Sequence, residues 1–374
     1  MENLLSSFDV WLKDDGPAAL VVREHLSPVE GPDGVLFPAT FAAGDGFPGG
    51  YNIDLFPNDT NVCLIDSVGS QANRIEPLFT RDGYEGLVPQ VVIKAGEKRV
   101  NLLEAGHRAG DAIVRCSALQ QEFREAFKAA QKGNVEPLAK LAPTSIVFGA
   151  WDSRDTQAKL PRLIASTIRA FNVRALTRSA QYVPAVDYVA EGLLAEPEDL
   201  RDAAGKVKGK HPFAQRGYSH HPATGSHGGV IADGGIRRDA SLHLAGLRLL
   251  TGASGADARA LRRYVLGLAL TAFTHPVDGY LRQGCHLVLD AKKGRDFEEV
   301  YGDGQRKPAT LTHISALTFA KAAAKEFGID PDRKIDFKIP PDREVEFDKD
   351  LAQKDISGGG EQRPKKGPKG KGTK

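Results

Sequence analysis

The chain predicts an α+β fold, and three observations carry that reading. Apolar runs of strand length recur at residues 18–23, 61–65, 87–95 and 285–289. Stretches of helical period lie among them: Leu119, Phe123 and Phe127 repeat every four residues with charges in between. A further helix is predicted over residues 315–327, stopped by Gly328 as a C-cap requires. With 374 residues, 41% of them hydrophobic and 26% charged, the chain is long enough for one large core or two domains.

Taken in order, residues 18–23 (ALVVR onwards) read as a first strand, and their unbroken apolar run suits a central position. Residues 30–51 are rich in Gly and Pro and predict a long excursion, with a hairpin around 35–41. The short strand at 61–65 is followed by Asp66 and Ser67, either of which can cap a helix. In that helix, Gln71, Asn73 and Arg74 either hold phosphates, sugars or base edges, or are solvated polar residues of a capped helix. Residues 105–117 read as helix, with His107, Arg108 and Arg115 on it; His107 reads as a packed or capping histidine rather than a general base.

Residues 145–182 hold the densest signal. An apolar run at 146–148 predicts a strand, 149–155 a polar turn, and Leu160 opens a predicted helix. Leu160, Ile164, Ile168 and Phe171 would form its apolar stripe, with Arg162, Ser166 and Arg169 on another face. Between Trp151 and Tyr182 stand six cations, Arg154, Lys159, Arg162, Arg169, Arg174 and Arg178, against two acids, Asp152 and Asp155. Guanidinium groups interleaved with hydroxyls are what a polyphosphate backbone needs, whereas a solvated helix face is the blander reading.

Downstream, residues 183–189 are a possible strand. Residues 205–229 hold six glycines, four Lys/Arg, four histidines and no acid, which predicts a mobile basic finger. The adjacent His220 and His221 fit no recognised zinc spacing. Arg237 and Arg238 begin a patterned segment at 235–250, and residues 257–274 read as a helix.

Net charge is only +2, but residues 352–374 carry seven Lys/Arg and two acids. The body is therefore slightly acidic, and any polyanion site in it must be a local groove. No apolar run reaches the length of a membrane span, and three scattered cysteines suit a reducing cytoplasm. Walker A, G-x-S-x-G and H-E-x-x-H motifs are absent from the sequence, and no cofactor or metal is expected.

Three motifs, SVGSQANRIEPLF (67–79), EAGHRAGDAIVRCS (104–117) and FGAWDSRDTQAKLPRLIASTIRAFNVRALTRSAQY (148–182), resemble the backbone subunit of type I-G (formerly I-U) CRISPR effector complexes, in the RAMP superfamily. GVIADGGIR (229–237) is similar as well, so the likeness covers roughly residues 66–250. The resemblance implies a modified RNA-recognition-motif (ferredoxin-like) core, βαββαβ, with palm, finger and thumb insertions. It spans residues 1–351, with 30–51 and 205–229 as finger or thumb candidates, before a disordered basic tail at 352–374. Such subunits polymerise along a CRISPR guide RNA, display it to a target DNA strand, and assemble with other effector subunits. The implied RNA-binding residues are Gln71, Asn73, Arg74, Arg154, Lys159, Arg162, Ser166, Arg169, Arg178 and Arg237. No RNP aromatic motif is present, which favours recognition through the backbone. Related type III subunits cut target RNA with a loop aspartate, for which Asp152 and Asp155 are the candidates; type I backbones are not expected to cut. A RAMP-type endoribonuclease and a basic-patched metabolic protein are the alternatives.

Overall fold

The computed structural model describes residues 2–195, 212–253, 258–276 and 278–357. Its main sheet is built from β1 (Ala19–Pro28), β2 (Ile53–Leu55), β3 (Asn61–Asp66), β4 (Ile164–Phe171), β7 (Ile236–His243), β8 (Cys285–Leu289) and β9 (Arg295–Val300); β5 (Val173–Tyr182) and β6 (His221–Ala232) form a ribbon between β4 and β7. The order across the sheet is β8, β1, β7, β4, β3, β2, and β9 shares the outer side of β1 with β8. The strands β9, β1, β7 and β4 are antiparallel neighbours. In chain order they are the fourth, first, third and second strands of a βαββαβ unit. The fold is thus α+β with an RNA-recognition-motif-like core, as expected.

Four helices pack with the sheet's core: α1 (Val68–Ile75), α2 (Gln120–Gln131), α3 (Arg259–Thr274) and α4 (His313–Phe327). The crossover from β1 to β4 carries α1 and α2, and α3 joins β7 to the outer strands. The main core joins Leu20 and Val22 of β1 and Leu242 of β7 to Phe127 of α2, Leu268 of α3 and Phe319 of α4. Helices α3 and α4 approach closely because Gly267 faces Ala320; a Cβ there would sit 2.7 Å from the Ala320 Cα. Gly328 ends α4 with φ 91°, as the sequence predicts.

A second, smaller core lies at the other end of the same sheet face, with Cys63, Ile168, Ile236, Cys285 and Leu287 beneath Leu36. Between the two cores runs a buried polar belt: Arg238 donates to Glu24 at 2.5 Å, and Ser166 to Gln71 at 2.9 Å. The excursion at 30–51 docks on the ribbon, where Leu36 and Val230 exchange backbone hydrogen bonds. Its hairpin pairs Thr40–Phe41 with Gly50–Tyr51, rather than lying at 35–41.

Several local expectations are corrected. In place of the helix expected from Leu160, Lys159–Leu160 forms one side of a short hairpin and Ile164–Phe171 is strand β4, whose burial alternates residue by residue. Leu160, Ile164 and Ile168 are four apart, so they share a face in a strand as well as in a helix; Phe171, at an odd offset, points to the other side. The run at 146–148 belongs to a buried helical turn, Thr144–Val147. Residues 105–117 are broken into a 3-10 turn, Arg108–Gly110, and a short helix, Ala112–Arg115. Residues 183–189 form no strand; β5 ends at Tyr182. Within the expected finger, 205–211 lie outside the described residues, while 212–216 are helical and 221–229 belong to β6. The expected tail begins inside a helix, α5 (Lys349–Ser357), anchored by an Arg115–Asp355 contact of 3.5 Å. Residues 358–374 lie outside the described residues.

Candidate nucleic-acid interface

Two of the three sequence motifs line one cleft of about 270 Å³, between residues 106–108, 149–151 and 159–162, and the third supports it from behind. His107, Arg108, Lys159 and Arg162 line it with Trp151, and none of its described lining residues is acidic. The local folding explains why these side chains meet. Ser67 caps α1 by accepting from the Ser70 amide at 3.2 Å. Helix α1 then presents Asn73, whose Oδ1 accepts from Arg108 Nη2 at 3.0 Å. Arg108 has φ 54°, an uncommon left-handed conformation for a residue with a side chain. That backbone is held by what its guanidinium meets: Glu76 at 2.5 Å, the Gly149 carbonyl at 3.3 Å and the Phe148 ring at 5.4 Å.

The opposite wall is a short hairpin pairing Trp151 with Lys159 and Ala150 with Leu160. Gly149 enters it at φ 77°, and a Cβ there would clash with Arg162 Cγ at 2.7 Å. Asp152, 2% exposed, ties the hairpin turn by accepting from the Thr156 amide at 2.8 Å and the Thr156 hydroxyl at 2.7 Å. Asp155 pairs with Arg124 at 3.1 Å. Arg162 donates to the Val68 carbonyl at 3.1 Å, tying this wall to the start of α1.

Electrostatics in the cleft are crowded with one sign. Burial, and then the neighbouring Arg108 charge, hold Arg162 below the usual arginine range. Behind Arg108, burial pushes the Glu76 carboxyl up to about 7 against the pull of the guanidinium. An anion entering the cleft would relieve this crowding by giving the cations a partner.

The ten expected RNA-binding residues divide. Asn73, Lys159 and Arg162 meet in or beside the cleft, and Arg154 is exposed on the adjoining turn. Gln71 and Ser166 do not reach the surface: they are buried and bonded to each other. Gln71 and Arg74 both donate to the buried Asp66, at 2.7 and 3.2 Å, so this part of α1 serves the polar belt. Arg169 and Arg237 stand opposite each other on the other face of the sheet, and Arg237 lies over the Phe171 ring at 4.8 Å. Arg178 sits on the ribbon, over the Phe37 ring at 5.8 Å. Sequence reasoning underrated His107 and Arg108 and passed over Trp151; the glycines beside them, Gly106 and Gly149, were the available signal.

The fold and cleft define an RNA-recognition-motif-like α+β protein with a local cationic groove. Residues 20–175, rather less than half of the chain, match the family described as CRISPR-associated protein GSU0053. That family is CRISPR-associated, and the match supports a role in CRISPR defence. The match takes in β1 from Leu20 onward, the motifs at 67–79 and 104–117, and the cleft hairpin. None of the curated proteins compared matches the chain. Among the described residues, no helix is long and apolar enough to cross a membrane.

Proposed function

We propose that the protein is a non-catalytic subunit that binds a CRISPR guide RNA by its backbone, polymerises along the spacer, and displays it for pairing with target DNA in a cytoplasmic type I effector complex. The observation that carries this reading is the cleft itself, made from two segments well separated in sequence, 106–108 and the 149–162 hairpin, with no acid in its described lining and with Lys159 and Arg162 unpaired by any carboxylate among the described residues. Phosphates need a local cluster of cations with no competing carboxylate, and backbone recognition needs no base-specific donor pattern. The RNA-recognition-motif-like core and the match to a CRISPR-associated family support the same reading.

The alternative is a RAMP-type endoribonuclease using Asp152 or Asp155. Both carboxylates have other employment: Asp152 holds the hairpin turn and Asp155 pairs with Arg124. A general base needs a carboxylate free to reach a nucleophile, so their partners favour binding over cutting. The test is co-expression with a CRISPR array transcript. The expected result is a large particle containing several copies of the protein on an intact guide RNA. Recovery of protein without nucleic acid, or metal-dependent cutting that disappears in an Asp152 or Asp155 variant, would contradict it.

A further inference from the structure

We propose that the cleft receives one nucleotide of a single-stranded RNA with its base stacked on Trp151 and its phosphate beside Lys159 and Arg162. The inference rests on the RNA-binding reading of the cleft and adds a base platform to a backbone grip. Its starting point is the contrast between the chain's two tryptophans. Trp11 is 7% exposed and donates to Glu299 at 2.7 Å, as a buried indole should. Trp151 is 52% exposed.

Looseness of the segment does not account for that exposure. The Trp151 backbone is paired with Lys159 on one side and packed against Gly110 on the other, where a Cβ would stand 3.0 Å from the Trp151 carbonyl oxygen. The following residue, Asp152, is buried and fixes the turn. A large aromatic ring is therefore held at the rim of a cationic cleft by an ordered frame. Lys159 Nζ lies over one side of the ring, 5.8 Å from its centroid, so its charge is within reach of the phosphate of a nucleotide whose base stacks on the ring.

An aromatic face beside cations such as Lys159 and Arg162, which pair with no carboxylate among the described residues, is the chemistry that single strands use, since every base has a face to stack while the backbone meets the charges. Bases within a duplex are already stacked on one another and cannot reach such a platform. The cleft, at about 270 Å³, is of the size for a small ligand or one residue of a polymer rather than a groove for a helix.

Because Trp11 is buried away from the cleft, it contributes a constant background, and the change in indole emission on adding ligand, compared with that in Trp151→Phe, reports on Trp151. The full-length protein is titrated with a single-stranded RNA oligonucleotide and with an abasic ribose-phosphate oligomer of equal length, and both emission and binding are followed. The expected result is quenching by RNA but not by the abasic oligomer, with the abasic oligomer binding about tenfold more weakly. Trp151→Ala should weaken RNA binding by about the same factor and binding of the abasic oligomer hardly at all, while Trp151→Phe should keep most of the affinity. RNA binding with unchanged emission, or equal affinity for the two oligomers, would overturn the base platform and leave a backbone-only cleft. Absence of any RNA binding would overturn the cleft reading together with it.

Discussion

The cleft and the open face of the sheet both gather cations, but they treat them differently. In the cleft, Lys159 and Arg162 share a space whose described lining has no acid. On the sheet face, Arg237 pairs with Asp239 at 2.9 Å, and Arg23 approaches the same carboxylate at 3.6 Å. Arg174, at the base of the ribbon, pairs with Asp233 at 2.6 Å. A phosphate would have to displace those carboxylates, whereas in the cleft it displaces only water. Arg169 is the exception on the sheet face: it donates to Thr167 at 2.6 Å and stands opposite another arginine. What the contrast teaches is that the pairing of cations, not their number, marks a polyanion site.

The comparison breaks most readily under charge reversal. Lys159→Glu with Arg162→Glu should weaken binding of any single-stranded RNA by about a hundredfold at moderate salt, whatever its sequence. Arg237→Ala should change it by less than about threefold, because its carboxylate partner already cancels most of its field. Filter binding or anisotropy at fixed salt decides. Equal effects at the two places would mean that the sheet face is part of the same track.

A smaller effect is expected at Asp152. Its removal leaves the Thr156 amide and hydroxyl without their acceptor and should cost about 1–3 kcal/mol of stability, seen as a lower midpoint in denaturant. RNA incubated with the variant, with or without magnesium, should remain as intact as with the parent protein. Disappearance of a cutting activity in this variant would turn the hairpin from a frame into an active site.

The smallest effect is a pH dependence seated behind the cleft. The Glu76 carboxyl is raised from 4.5 to about 7 in the fold by burial, so the folded chain binds the proton more tightly than the unfolded chain. Stability from this group is fully present below the unfolded value and lost as pH rises through about 7. Glu76→Gln should flatten that decline between pH 4.5 and 7 in chemical denaturation, at the cost of a lower stability overall because Arg108 loses its partner. An unchanged pH profile in the variant would show that Glu76 stays ionised beside Arg108.

Much of the scaffold was legible in the sequence, and the reasons are local. Helices α2 and α4 announce themselves through four-residue repeats and a glycine stop, and β3 through a short apolar run with a serine cap after it. Strand β4 was misread because Leu160, Ile164 and Ile168 satisfy both periods at once. The discriminating signal was composition: Ile164, Thr167 and Ile168 are β-branched, which favours a pleated strand. The cleft was legible only in pieces. Asn73, Arg108 and Arg162 come from segments tens of residues apart, and no periodicity relates them. Gln71 and Ser166 looked available because a polar side chain defaults to the surface, and their burial follows from a belt that exists only once β3, β4 and α1 pack together. Trp151 is the converse case, an apolar residue whose exposure no pattern could foretell.

The claim that the cleft, and not the sheet face, holds the RNA backbone is tested most directly by salt dependence. The logarithm of the RNA association constant is measured against the logarithm of salt concentration for the parent protein, Arg162→Ala and Arg237→Ala. Removing one cation that neutralises a phosphate of a single strand should reduce the magnitude of the slope by about 0.7. The account predicts that reduction for Arg162→Ala and an unchanged slope for Arg237→Ala; the reverse pattern, or an unchanged slope in both, would contradict it.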